Sequence, residues 1–182
     1  MSGQRRLSII RCSFHDDCID IVNRQIKFEY VVSCIYRSMS IYFRRRELRM
    51  NHLADFFNDL SVKEKEQADW FFHLQLNRRA EVNPPKKLRP RKYKWGDGLN
   101  AMKCALVLEK HVYWRLSRIF KLATERNDHQ LCRYLQNYYL FPQMQSVKEV
   151  ANYVACLRQL PTMEPVVVNN YFLELLIESK KE

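Results

Sequence analysis

Glycine is nearly absent from this chain: three residues in 182, Gly3, Gly96 and Gly98. Proline is scarce as well, with six residues, of which Pro84, Pro85 and Pro90 share one connecting segment. The two strongest helix breakers therefore leave long uninterrupted stretches, and the chain is expected to be all-α. Missing too is any run of about 18 consecutive apolar residues. The N-terminal MSGQRRLSIIRCSFHDDCID has basic residues but no apolar core of a secretory signal. The expectation is a soluble protein with no membrane partner, in the cytoplasm, with the nucleus as the alternative that a basic surface permits. Cys12, Cys18, Cys34, Cys104, Cys132 and Cys156 form no C-x-x-C pair, which favours reduced structural thiols over a disulfide frame or a zinc site. The histidines His15, His52, His73, His111 and His129 are not spaced as pairs, so surface or capping roles are expected. No Gly-rich phosphate loop or nucleophile triad occurs.

What the chain does have is four long apolar stripes of alternating three- and four-residue spacing, each interrupted by an acid or an amide. The first reads Ile19, Val22, Ile26, Glu29, Ser33, Tyr36, Ser40, Phe43, and the second Leu53, Phe57, Leu60, Glu64, Gln67, Phe71, Leu74. The third reads Leu99, Met102, Leu106, Glu109, Tyr113, Leu116, Phe120, and the fourth Tyr139, Gln143, Val147, Val150, Val154, Leu157. Such stripes face the core of a bundle, and antiparallel packing would gather the interruptions into one buried layer. A carboxylate cluster there is of the kind that holds metal.

The spacing predicts helices over 16–44, 51–78, 98–125 and 128–160, with a short one over 165–178. Asp128 is the expected N-cap of the fourth, and Pro142 is expected to kink it beside Gln143. The link from Arg79 to Trp95 is long enough to run back along the bundle, giving one long crossover instead of up-down-up-down connectivity. With 47% hydrophobic and 28% charged residues, the chain suits a single domain: an N-terminal extension at 1–15, the helical domain at 16–178 and a basic tail at 179–182. The net charge is +11. It is concentrated in Arg44, Arg45, Arg46 and Arg49 and in Lys86, Lys87, Arg89, Arg91, Lys92 and Lys94, a candidate attraction for nucleic acid or another polyanion, or simply a solvated surface.

The strings VNRQIKFEY, YRSMSIYF, GLNAMKCALVLEKHV and KLATERNDHQLCRYL resemble the animal ferritin heavy chain in order and spacing, from about Asp17 to Tyr171. The resemblance implies a four-helix bundle with a short fifth helix, assembled into a hollow 24-subunit shell that stores ferric mineral, with iron as the bound metal. It also implies that Glu29, Glu64, Glu109 and Gln143 match iron-site residues of a buried di-iron centre, and that Tyr36 matches the tyrosine beside it.

Several positions depart from that pattern. Where active heavy chains carry Glu followed by Glu-x-x-His, this chain has Lys63, Glu64, Lys65, Glu66 and Gln67. A neutral amide replaces the imidazole; the layer is an internal ion-pair network if the Lys63 ammonium reaches Glu29, Glu64 or Glu109, and otherwise a weakened iron site built on those three carboxylates with amide help. The acids that line the family's three-fold channels are replaced by Arg133 and Gln136, which would repel Fe(II). The mineral-nucleating acids correspond to Lys63, Glu66 and Asp69. The glycine pair that ends the second helix is replaced by Arg79 and Ala80, so the cap must be built another way. The leading expectation is a heavy-chain-like ferritin subunit with a degraded di-iron centre, weak or vestigial iron binding and little or no ferroxidase activity. It would assemble with itself or with active subunits. The alternatives are a basic, non-catalytic shell or bundle that binds polyanions, and a working ferroxidase with altered ligands.

Overall fold

The structure is a computed structural model that describes residues 15–82 and 93–179. It comprises α1 (Asp16–Phe43), α2 (Asn51–Asn77), α3 (Gly98–Glu125), α4 (His129–Leu135), a π turn (Gln136–Leu140), α5 (Phe141–Leu157) and α6 (Pro165–Glu178). No strand occurs among the described residues. Three of the helix starts are capped by a side chain. The His15 ring accepts from the Asp17 N–H and the Asp97 side chain from the Asn100 N–H. Asp128 accepts from the Leu131 N–H, the cap anticipated for α4.

The direction of each helix can be read from its contacts. Near the end of α2, Gln75 Nε2 donates to the Ile19 carbonyl near the start of α1 at 2.9 Å. At mid-height the hydroxyls of Ser33 and Ser61 each donate to the other's backbone carbonyl. α1 and α2 are therefore antiparallel and close. α3 runs parallel to α2, because both begin at the same end. A Cβ on Gly98 would lie 2.9 Å from Val168 Cγ1 and 3.2 Å from Leu53 Cδ2, so only glycine lets the start of α3 approach α2 and α6 this closely. The end of α2 and the start of α3 therefore lie at opposite ends of the bundle, as a long crossover connection requires. Its residues 83–92, which carry Lys86, Lys87, Arg89, Arg91 and Lys92, lie outside the described residues. Where the chain is described again, Trp95 is buried and its indole N–H donates to Ser38 Oγ on α1. α6 closes one end through Phe172, whose ring meets Phe56 and Tyr153 edge-on at 5.3 and 5.1 Å.

Three local expectations are refined. The buried face of α3 is Ala101, Met102, Ala105, Glu109, Val112, Leu116, Ile119 and Ala123. Leu99, Leu106 and Phe120 are only half-buried, and Tyr113 is exposed. Small alanines permit closer helix approach, which rotates the stripe away from its bulkier members. A π turn over Gln136–Leu140 stands immediately before Pro142, in the region of the expected kink. The wider turn shifts the carbonyl that the proline ring would strike and relocates the hydrogen bond that its missing N–H cannot make.

The third concerns the end of α2, where Arg79 takes up the left-handed conformation at φ 55°. Its N–H donates to the Leu76 carbonyl, and the Ala80 N–H donates to the Gln75 carbonyl at 3.0 Å. This is a Schellman cap built on a non-glycine residue. Glycine would occupy that conformation without strain, so Arg79→Gly is expected to raise stability by about 1 kcal/mol. A higher urea midpoint would register the gain.

Candidate metal centre

One polar layer crosses the middle of the bundle. Glu29 on α1, Glu64 on α2, Glu109 on α3 and Gln143 on α5 are all fully buried. Gln67, one turn after Glu64, is half-buried. Glu109 is satisfied on both sides: the Tyr36 hydroxyl donates to Oε1 at 2.6 Å and Gln143 Nε2 donates to Oε2 at 2.7 Å. Glu29 accepts a single bond, from Gln25 Nε2 to Oε1 at 2.7 Å. Glu64 accepts none. Glu29 Oε2, both Glu64 oxygens, Gln67 Oε1 and Gln143 Oε1 are buried without a hydrogen-bond donor.

This asymmetry shapes the electrostatics. The Glu29 and Glu64 carboxyls are near enough to perturb each other's ionisation. Burial pushes Glu29 up to about 7, opposed by the Gln25 hydrogen bond, by the Glu64 carboxyl and by Lys63, while Glu109 adds to the rise. Glu64 is raised well above the carboxylate range, by burial first and then by the charges of Glu29 and Glu109. Two buried carboxyls in contact favour holding a proton between them over carrying two charges. Burial, followed by the Glu109 charge, holds the Tyr36 hydroxyl well above its ordinary value, so Tyr36 stays a donor.

Of the two readings of the layer, the Lys63 ion-pair network is not the one seen among the described residues. Lys63 is half-buried and its field lowers both Glu29 and Glu64. Yet among the described residues no ion pair within 4.0 Å joins it to any of the three glutamates. It lines a cavity of about 220 Å³ with Glu66, Gln67, Trp70, Tyr134, Tyr138 and Tyr139. An ammonium that lines this opening keeps solvation that it would lose inside the layer. The Tyr139 hydroxyl donates to the Gln67 carbonyl at 3.2 Å, bracing that wall.

Two residues the periodicity passed over belong to the layer. Gln25 is fully buried and joins Glu29 to Arg115, whose Nε donates to Gln25 Oε1 at 2.8 Å. Gln25 lies one turn before Glu29 on the same face, a legible signal. Arg115 comes from α3, and nothing local marks it.

The other candidate residues sit away from this layer. Arg133 and Gln136 are exposed around the junction of α4 and the π turn, and no carboxylate pairs with Arg133 among the described residues. Asp69 accepts a short hydrogen bond from the Tyr30 hydroxyl, and Glu66 is exposed. At the first turn Arg44 pairs with Asp55, Arg45 lies over the Tyr42 ring at 5.1 Å, and Arg46 is exposed. Lys94 is also exposed.

A family model, described as a ferritin-like domain, matches residues 19–163. That span covers most of the chain and contains the whole layer. The chain belongs to the ferritin family. This ferritin therefore carries the helical bundle of its family, whose members usually bind iron and whose fold points to oligomeric assembly. None of its helices, among the described residues, is long and apolar enough to cross a membrane. Nor do three or more His, Cys, Asp or Glu side chains converge for a metal ion among those residues. The donor set of this ferritin is two adjoining carboxyls with orphaned oxygens, supplemented by the amide oxygens of Gln67 and Gln143. That set suits one hard divalent cation better than a pair, since carboxylate and carbonyl oxygens favour hard ions and no imidazole is present.

Proposed function

We propose that this chain is a heavy-chain-like ferritin subunit of an iron-storage shell whose di-iron centre is degraded, and that it associates with itself or with active subunits. The observation that carries this reading is the division of the layer. Both Glu109 oxygens are taken by Tyr36 and Gln143, while Glu29, Glu64 and the amides of Gln67 and Gln143 keep unpartnered oxygens. Fe(II) is the cargo and would be held singly, by Glu29 and Glu64 with the Gln67 amide oxygen. Lys63 at the cavity beside the layer repels a second cation, and the neutral amide at Gln67 replaces an anchoring nitrogen ligand. Fast oxidation by oxygen needs two electrons from two Fe(II), so a site holding one is slow.

Arg133 and Gln136, exposed near the start of α5, lack the negative charge that would draw Fe(II) through a pore. A subunit of this kind would rely on acidic partners for iron delivery, which favours co-assembly over a shell of this chain alone. The second reading, a basic shell that binds polyanions, rests on Arg45 and Arg46 standing exposed at the first turn without a carboxylate partner among the described residues.

Aerobic Fe(II) oxidation by the purified protein, run beside Lys63→Glu/Gln67→His, tests the leading reading. The double variant is expected to oxidise Fe(II) at least about tenfold faster, because the change removes a repelling charge and supplies an imidazole. A native chain as fast as the double variant would make this a working ferroxidase with altered ligands.

A further inference from the structure

We propose that the cleft between α1 and α3 is a binding site for a phosphate-type oxyanion, held by Arg24, Arg115 and Arg118 beside Trp114. The cleft encloses about 310 Å³ and is floored by Ile21, Ile119 and the Gln25 amide. Elsewhere the arginines that meet a carboxylate pair with it: Arg44 with Asp55, Arg78 with Asp128 and Arg126 with Asp17. Three arginines line this one cleft, and among the described residues none has a carboxylate within 4.0 Å.

Two of the three are already held in place. Arg115 donates through Nε to Gln25 Oε1 at 2.8 Å and through a terminal nitrogen to the Arg24 carbonyl at 3.2 Å. Its plane lies over the Phe28 ring at 4.4 Å from the centroid. The Arg118 guanidinium lies over the Trp114 ring at 4.8 Å. Stacking and hydrogen bonding fix the planes of both forks, so little conformational freedom remains to be lost on binding. Like charges so placed repel one another: Arg115 is lowered by burial first, and Arg24 and Arg118 add to the effect. The acid acting on Arg115 is Glu29, which lies behind Gln25. A tetrahedral oxyanion would relieve the repulsion with charge-assisted hydrogen bonds, and planar forks match phosphate oxygens. The space exceeds a single phosphate, and the half-exposed indole of Trp114 forms one wall. The phosphate can therefore arrive free or as part of a nucleotide. The site adjoins the glutamate layer through Arg115, Gln25 and Glu29 but uses none of the glutamates to hold its ligand, and it does not depend on the iron reading.

Equilibrium dialysis of the full, metal-free protein against inorganic phosphate and, separately, against adenosine triphosphate tests the site. Binding is expected to be saturable, to weaken with added chloride, and to weaken about fivefold or more in Arg118→Ala and in Arg24→Ala. Both residues are exposed, and far-ultraviolet circular dichroism would verify that the helices persist. Lys148→Ala, exposed on α5 and outside the lining of the cleft, is expected to bind as the native protein does. Tighter binding of the triphosphate would assign a nucleoside phosphate, and comparable affinity would assign free phosphate. The proposal is overturned by absence of saturable binding of either probe, or by binding that the Arg24 and Arg118 substitutions leave unchanged.

Discussion

Asp128→Ala is expected to lower the thermal midpoint by about 10 °C or more, from a loss of roughly 3–5 kcal/mol. Asp128 closes the turn between α3 and α4 and performs two tasks at once. Its Oδ1 accepts from the Leu131 N–H, which caps α4. Both its oxygens accept from the Arg78 guanidinium, at 2.9 and 3.1 Å, in a pair whose side chains are 1% and 2% exposed. Arg78 is the residue that ends α2. A single buried ion pair thus fastens the end of one helix to the start of another.

Removing the carboxylate leaves a guanidinium buried without its counter-ion, and that uncompensated charge dominates the loss. The missing cap adds about 1 kcal/mol. Asp128→Asn keeps the cap and removes only the charge, so it should fall between the native protein and Asp128→Ala. Arg78→Met combined with Asp128→Asn should recover much of the loss, since no buried charge is then left unpaired. A midpoint for Asp128→Ala within a degree or two of native would show that the pair is not what joins α2 to α4.

Metal-free protein is expected to lose stability as pH rises from about 5 to about 8, the reverse of ordinary carboxylate behaviour. The unfolded chain releases the Glu29 proton near the ordinary 4.5, whereas the folded chain holds it to about 7. Glu64 is displaced in the same direction. Between those values the native state binds more protons than the unfolded state, so stability falls with rising pH. Glu29's share is fully present below about 4.5 and is lost as pH passes about 7, while Glu64 prolongs the decline. From Glu29 alone the loss is on the order of 3 kcal/mol. Urea midpoints across this range check it, and Glu29→Gln/Glu64→Gln should flatten the profile. A flat or rising native profile would mean that the two carboxyls do not share a proton.

The sequence by itself determined the helices, because scarce glycine and proline together with three- and four-residue apolar spacing leave the backbone few other choices. It also placed Glu29, Glu64, Glu109 and Gln143 near mid-helix, and the short turn and the long link constrained which helices run parallel. The ferritin resemblance rested on strings within those same stretches. Tertiary structure alone decided how the buried groups are partnered. Glu109 is saturated because Tyr36 from α1 and Gln143 from α5 reach it, whereas Glu64 is left bare. Lys63 adjoins Glu64 in the chain yet lines the cavity without pairing with it, and Arg115 enters the layer across ninety residues of sequence separation from Gln25. Periodicity fixes which face of a helix is buried to within part of a turn, as the rotated stripe of α3 shows. It carries no record of which neighbour supplies the donor, because that depends on helix separation and azimuth, which side-chain packing sets only when all the helices meet.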